Sequence, residues 1–415
     1  MKVTGIIAEY NPFHNGHLYQ LTEARKKTDA DFIIVVMSGD FMQRGTPAII
    51  NKWERTRMAL SGGADLVLEL PCVFATASAN MFALGGISLL ARTGVVTDLC
   101  FGAETDSITD FLTLAKFLNE EPDFFKNALK NELKTGISFP AARSSALSAE
   151  ASLPLSSEKL LSSPNNILGI EYCKALFALS SSIKPHIIKR EGSGYNDREV
   201  NKQDRFASAS AIRTGLLNPS KGRSSSDLSS FLPASSLDIL KNSKNKLAFL
   251  SENDFSLLLH YQLLREMDLG FSSYSDVSKD LSNRIKNRIS GFTSWSDFAL
   301  SLKTKELTYT RINRALTHIL LGITDDKFLF AKSNLPLYLR ILGFSKNASL
   351  LLSSIKHNSS IPLISKLADA KNSLSDASYD MLKADIFASD IYRTVKTAKT
   401  GQNDPNEFKQ SLILL

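Results

Sequence analysis

Two histidines three positions apart, His14 and His17, follow the short apolar run 3–9 and enclose Asn15 and Gly16. A strand that runs into a loop and then opens a helix near Gly16 presents free backbone N–H groups and a positive dipole end, which suits phosphate. Gly16 lets a phosphate or ribose approach the backbone with no Cβ in the way. Within the first helical turn both imidazoles face the same ligand. Two imidazoles aimed at a triphosphate stabilise the charge that grows on the α-phosphate and leaving group during in-line attack. The bland alternative is a pair that caps the helix or packs beneath the loop. The position at the end of a first strand, behind Asn11-Pro12-Phe13, favours the chemical reading. A metal reading is weaker: no third ligand stands nearby, and the spacing is one residue short of a helical zinc pair. No protein metal site is expected.

A second candidate lies far downstream, in Ser208-Ala209-Ser210-Ala211-Ile212-Arg213. Ser210 at a helix start with Arg213 one turn on makes a phosphate clamp. Alone, this spacing usually means an N-cap and a solvated arginine; paired with the first motif it is far more specific. Asp40, just past the second apolar run, reads equally well as a turn carboxylate or as a group orienting a second substrate or a Mg²⁺–phosphate. Cys72, Cys100 and Cys173 are widely spaced and read as small buried hydrophobes, with no disulfide or zinc pattern.

These groups need positioning elements, and the first half supplies an alternation of strand and helix. Strands are expected at 3–9, 31–38, 65–70, 98–103 and 185–190. Helices are expected at 16–27, around Trp53, Met58 and Leu60 up to Gly62-Gly63, at 78–92 and at 208–217. Repeated β-α-β units imply an α/β fold with a doubly wound, Rossmann-like parallel sheet, and ligands then bind outside the carboxyl ends of its strands. The stretch 220–230 is serine-rich and reads as an exposed connection. Beyond it the pattern is helical, with Gly270, Gly291 and Gly343 as punctuation. The expected organisation is a nucleotide-binding catalytic domain over 1–218, a linker over 219–233 and an all-α domain over 234–415.

At 415 residues with 43% hydrophobic content, either half has the material for a core. A net charge of +7 suits a polyanion partner but is shared by many metabolic enzymes. No apolar run reaches the ~20 residues of a membrane span, and the N-terminus lacks a signal-peptide layout. A cytoplasmic protein with no membrane partner is expected; nothing in the sequence sets an oligomeric state.

The segment around His14 and His17 resembles the HxGH signature of the HIGH-type nucleotidyltransferase superfamily, and residues 208–213 resemble its S-x-S/T-x-I-R motif. The wider text, Ala8-Glu9-Tyr10-Asn11-Pro12-Phe13-His14-Asn15-Gly16-His17, Met37-Ser38-Gly39-Asp40-Phe41-Met42-Gln43-Arg44-Gly45, Ala64-Asp65-Leu66-Val67-Leu68-Glu69-Leu70-Pro71, Phe101-Gly102-Ala103-Glu104 and Ser163-Pro164-Asn165-Asn166-Ile167-Leu168-Gly169, closely resembles the bacterial tRNA(Met) cytidine acetate ligase family. That resemblance implies ATP and acetate as substrates, Mg²⁺ accompanying ATP, and elongator tRNA(Met) as acceptor. Acetyl-adenylate would form first, and the acetyl group would pass to N4 of the wobble cytidine. It also implies ATP contacts from Ile7, Ala8, Glu9, Tyr10, Asn11, Pro12, Phe13, His14, Asn15, Gly16, His17, Leu18, Tyr19, Gln20, Gly102, Asn165 and Arg190, joined by Ser210 and Arg213. His14 and His17 are the catalytic candidates; acetate recognition stays unassigned.

An RNA acceptor requires basic surface. The expected helix 308–321 carries Arg311, Arg314 and His318 facing away from an Ile312–Leu316–Ile319 stripe, and Arg284, Lys286 and Arg288 form a second cluster. Taken singly, such runs are more often solvated helix faces. Two rival functions remain at this level. One is a cofactor-type adenylyltransferase acting on a phosphorylated metabolite, which leaves the helical half idle. The other is a non-catalytic RNA-binding protein on a relict fold, against which the intact His14, His17, Ser210 and Arg213 argue.

Overall fold

The computed structural model describes residues 1–137, 139–148, 157–190, 206–217, 228–242 and 249–415. The apolar runs form the middle of one sheet. β1 (Val3–Ala8), β2 (Phe32–Ser38), β3 (Leu66–Leu70), β4 (Asp98–Ala103) and β5 (Lys184–Lys189) are mutually parallel, in the spatial order β5-β4-β1-β2-β3. Along β2 the side chains alternate between two cores: Ile33, Val35 and Met37 enter one, Ile34 and Val36 the other. α1 (Asn15–Thr28) and α2 (Lys52–Ser61) close the first face with Leu21, Ala24, Met58 and Ala59. After β3 come the short α3 (Cys72–Ala75) and α4 (Ala79–Arg92). Between β4 and β5 run α5 (Ile108–Glu120), α6 (Asp123–Lys134), α7 (Phe139–Ser148), α8 (Ser157–Ser162) and α9 (Pro164–Ala178). From this group α4, α5 and α9 close the second face. α10 (Ala209–Leu217) follows β5.

The strand order reverses beside β1, with β2 and β3 on one flank and β4 and β5 on the other. Connections leave a switch point in opposite directions, so a crevice opens between β1 and β4 at their carboxyl ends.

The second half is helical in the main, yet it lends the sheet strands that the all-α expectation for 234–415 does not contain. β6 (Leu339–Phe344) pairs antiparallel with β3, and β7 (Leu363–Ile364) and β8 (Ile413–Leu414) run parallel to β6 on its other edge. Gly343 is therefore a strand residue and does not punctuate helices. A Cβ there would lie 2.6 Å from the Ile413 carbonyl oxygen, so glycine is what lets β8 approach. Of the serine-rich connection, residues 220–227 lie outside the described residues, and Phe231 and Leu232 beyond it are buried against Ala207 and Ile212.

A closed ring of buried charges ties the two halves together. Lys52 Nζ on α2 lies 2.7 Å from Glu69 on β3 and 2.9 Å from Glu407; Arg340 on β6 lies 2.7 Å from Glu69 and also pairs with Glu407. All four side chains are almost completely removed from solvent. Burial alone would raise the Glu407 carboxyl, but Lys52 and Arg340 outweigh it and hold the group down at about 2. Glu407 therefore contributes stability above the unfolded carboxylate range, and that contribution is lost as pH falls from about 4.5 toward 2. Glu407→Gln leaves two buried cations sharing one carboxylate. It should lower the unfolding free energy in urea by about 3–5 kcal/mol at pH 7, with a difference from the parent that shrinks below pH 4; an unchanged midpoint would mean the ring carries no stability.

Candidate functional site

The crevice is built around the start of α1. His14 is the N-cap, in extended backbone geometry, and its Nδ1 accepts the Gly16 N–H at 3.1 Å. His17, at the third helical position, returns the favour: its Nδ1 accepts the His14 N–H at 3.3 Å. This is a capping box made of two imidazoles. The rings stack with centroids 3.7 Å apart and 24° between planes, and Tyr10 and Phe13 pack edgewise or tilted against His17. Gly16 has a local reason beyond phosphate access: a Cβ there would sit 2.9 Å from His14 Cε1.

Capping and chemistry are thus one arrangement. An Nδ1 that accepts a backbone N–H carries no proton, so each neutral ring carries its proton on Nε2. Protonating Nδ1 would set two donors against each other. Burial is the main force on the pKa values: it pushes His14 down to about 3, helped by Arg190 and Arg213, and pushes His17 well below 6.5, helped by His14 and Arg190. The result is two neutral rings, each with its Nε2–H left over as a donor at a helix N-terminus.

Arg213 donates to the Asn11 carbonyl at 2.8 Å and to Ser210 Oγ at 3.0 Å, which suspends the clamp over the loop after β1. Ser208, not Ser210, caps α10, its Oγ accepting the Ala211 N–H at 3.1 Å. Asn165 lies in the first turn of α9, which Pro164 opens. Its Nδ2 donates to Glu104 Oε1 at 2.6 Å, and the same oxygen lies 3.7 Å from Arg190 Nε. A Cβ on Gly102 would lie 3.5 Å from Arg190 Cγ, an ordinary contact distance. Arg55, fully buried, gathers the strand ends by donating to the carbonyls of Glu9, Ser38, Gly39 and Ile50.

One cleft brings together Ile7, Ala8, Glu9, Tyr10, Asn11, His14, His17, Gln20, Gly102, Asn165, Arg190, Ser210 and Arg213. An adjoining smaller recess adds Gly16 and Tyr19. Pro12, Phe13, Asn15 and Leu18 line neither. Phe13 is fully buried beneath Gly62, and Asn15 donates to the Ser230 carbonyl at 2.9 Å. Asp40 is likewise outside this cleft: buried, it accepts the Lys52 N–H at 2.7 Å, which gives it a structural task. Gln43, Arg44, Phe101, Leu168 and Ser208, which the sequence places in motif segments without a role, and Phe82 and Tyr172, which lie outside those segments, also line the cleft. Their types are ordinary for loops and cores, and only the fold gathers them.

The helix Tyr309–Leu321 is a core helix rather than an exposed basic face. His318 is fully buried, between the Ser275 carbonyl at 2.9 Å and the Thr76 carbonyl at 3.1 Å. Arg314 is half-buried and paired with Asp276 at 2.8 Å, and Arg311 is also half-buried. Arg284 is half-buried and Arg288 exposed on the helix Lys279–Arg288. All three cysteines are buried and unpaired, and burial lifts the thiols of Cys100 and Cys173 to about 12.

The HIGH Nucleotidyl Transferase family matches residues 1–407. A tRNA(Met) cytidine acetate ligase of Acetivibrio thermocellus is 41% identical over the full length of both chains, and one of Clostridium perfringens is 42% identical over 94% of this chain and 95% of its own. Among solved structures, apo TmcAL of Thermotoga maritima superposes with a TM-score of 0.93 at 33% identity, with both chains fully covered. The same protein with alpha-thio ATP bound gives a TM-score of 0.91.

His14→Asn separates capping from chemistry, because asparagine is as good a cap as any residue but lacks the Nε2–H. Thermal unfolding should change by no more than about 1 kcal/mol, while nucleotidyl transfer from ATP falls about 10²–10³-fold. Gly16→Ala, which displaces the His14 ring, should cost about 10²-fold in the same assay. Full transfer activity in His14→Asn would reduce the pair to caps.

Proposed function

Because the chain belongs to the HIGH nucleotidyl transferases, and within them to the tRNA(Met) cytidine acetate ligase family, we propose that it activates acetate with ATP and acetylates the wobble cytidine of elongator tRNA(Met). The observation that carries the chemistry is the pair of neutral imidazoles at the head of α1, facing one cleft with Arg190, Ser210 and Arg213. In the first step one acetate oxygen bonds to the α-phosphorus and the bond from that phosphorus to the bridging oxygen breaks. Its electron pair departs with pyrophosphate. Acetate is already ionised, so no enzyme base is needed. Negative charge accumulates on the leaving phosphates, and His14, His17 and Arg213 are the donors placed to meet it. Gly102, Asn165 and Arg190 serve the nucleoside end, with Glu104 fixing the last two. In the second step cytidine N4 attacks the acetyl carbon, AMP departs and N4 loses a proton. The base must leave its stack, or already be looped out, to reach the acyl group.

Among the described residues no cluster of three His, Cys, Asp or Glu side chains is placed to hold a metal. Among the described residues Glu9 is the one carboxylate lining the cleft, and it accepts the Gln43 N–H at 2.7 Å. The residues therefore fit Mg²⁺ that arrives with the triphosphate better than a resident ion. No helix among the described residues is long and apolar enough to cross a membrane. For the tRNA backbone, Arg284 and Arg288 offer the more accessible of the expected basic clusters, since Arg314 is engaged with Asp276. Metabolite adenylylation and a relict binding fold are not favoured, because the relatives matched over full length are ligases.

ATP–pyrophosphate exchange tests the first step, and labelled-acetate transfer to tRNA the second. Exchange is expected only with acetate present, and transfer should fall steeply with salt. Arg284→Glu with Arg288→Glu should reduce transfer and leave exchange intact. Exchange driven by a phosphorylated metabolite without acetate would overturn the reading, as would the absence of any exchange.

A further inference from the structure

The proposed nucleotide contacts leave one flank of the cleft unused. Gly102 and Arg190 follow from β4 and β5, and Asn165 stands on α9, all on one side of β1. The cleft continues across β1 to the other side, where Gln43 and Arg44 follow β2 and the nearly fully buried Phe82 stands on α4; Tyr172 on α9, packed against Phe101 of β4, adds apolar lining from the nucleotide side.

The loop carrying Arg44 is held from several directions. Met42 N–H donates to the Thr46 carbonyl and Gly45 N–H to the Met42 carbonyl, both at 2.9 Å. Gly45, at φ +69, backs onto the helix Tyr309–Leu321 so closely that a Cβ would lie 2.2 Å from the Arg314 nitrogen. Thr317 Oγ1 donates to the Gly45 carbonyl at 3.0 Å. On the cleft side Gln43 N–H reaches Glu9 Oε1 at 2.7 Å, and Gln43 Nε2 reaches the Ala77 carbonyl at 3.0 Å. That last bond draws the start of α4, with Phe82 one turn in, against the β2 loop. The backbone that carries Arg44 is thus held against the start of α4, and Arg44 lines the same cleft as Phe82 and Tyr172; a cation and an apolar lining in one cleft match the two ends of a short carboxylic acid.

In-line displacement needs the incoming oxygen on the side away from the departing pyrophosphate, and Arg44, which follows β2, is a cleft cation that is not among the proposed nucleotide contacts. We infer that Arg44 binds the carboxylate of acetate and that Phe82 and Tyr172 bound the space for its methyl group. This rests on the acetate-activating reading above and adds the residues that choose the acid. A guanidinium holds a carboxylate in a fixed plane through paired N–H donors, and its charge offsets the repulsion between acetate and a polyanionic nucleotide. One carboxylate oxygen remains free to attack the α-phosphorus; no proton moves. Extra methylenes meet Phe82 and Tyr172, and a pocket of this kind discriminates by about 10–200-fold per methylene.

Acetate-dependent ATP–pyrophosphate exchange reads this directly. Arg44→Gln should raise the KM for acetate at least about tenfold and leave the KM for ATP within about twofold, with Arg44→Lys, which keeps the charge and loses the fork, falling between. Phe82→Leu should raise the use of propionate relative to acetate about tenfold. An unchanged acetate KM in Arg44→Gln, or equal rises for acetate and ATP, would overturn the assignment. Should Arg44→Gln fail to fold, an Arg44→Lys variant with parental acetate KM and propionate use would overturn it as well. If the parent protein shows no acetate-dependent exchange, the proposed function itself falls, which is a different result from a parent that exchanges and an Arg44 variant that behaves like it.

Discussion

Two backbone N–H groups at the start of α1 are satisfied by imidazole nitrogens, and the rest of the site follows from that choice. Serine or aspartate would cap the helix equally well and leave nothing behind. An imidazole that caps through Nδ1 still has an Nε2–H to offer, so a structural bond and the donor of the proposed reaction share one ring. The same bond forbids protonation at Nδ1, and burial works in the same direction. In the proposed reaction, charge for the phosphates comes from Arg213, while the histidines act as oriented dipoles. Gly16 is needed for the cap as much as for the ligand, since any side chain there would push His14 aside.

Around this point the sheet does the positioning. Parallel strands end in carbonyls that no neighbouring strand can satisfy, and Arg55 collects those of Glu9, Ser38 and Gly39 in the floor beneath the cleft. The second half is part of the same construction. It closes the β3 edge with β6, completes the buried charge ring through Arg340 and Glu407, and presses the helix Tyr309–Leu321 against Gly45. A buried ring of this kind adds less stability than its distances suggest, because desolvating four charges costs nearly what their pairing returns. Its four charges pair across α2, β3, β6 and the 407 region, so removing any one element from its place strands a buried charge.

Much of this was legible in the sequence, for reasons that differ between halves. β2 and β4 read plainly because strands buried on both faces are continuous apolar runs of strand length bounded by turns. The HxGH and S-x-S-x-I-R segments stand out because their residue types do not belong to cores. β6 did not read as a strand: residues 339–344 are a short apolar run that carries Arg340, and periodicity cannot separate such a run from a helical segment. His318 and Arg314 looked like a solvated face because the helix carrying them is covered on that side by partners far away in sequence, Thr76 and Asp276. Phe82 and Tyr172 carried no signal, and Gln43 and Arg44 stood only inside the family-like segment 37–45, since their shared cleft exists only once β1, β2, α4 and α9 are assembled.

The claim on which the account turns is the protonation state of His14 and His17, and long-range ¹H–¹⁵N correlation NMR of the ligand-free protein reads it directly. The account predicts that both imidazoles carry their proton on Nε2, with Nδ1 unprotonated, and that neither shifts between pH 5 and 8, in keeping with a His14 pKa of about 3. A proton on Nδ1 of either ring, or a titration midpoint near 6.5, would contradict it.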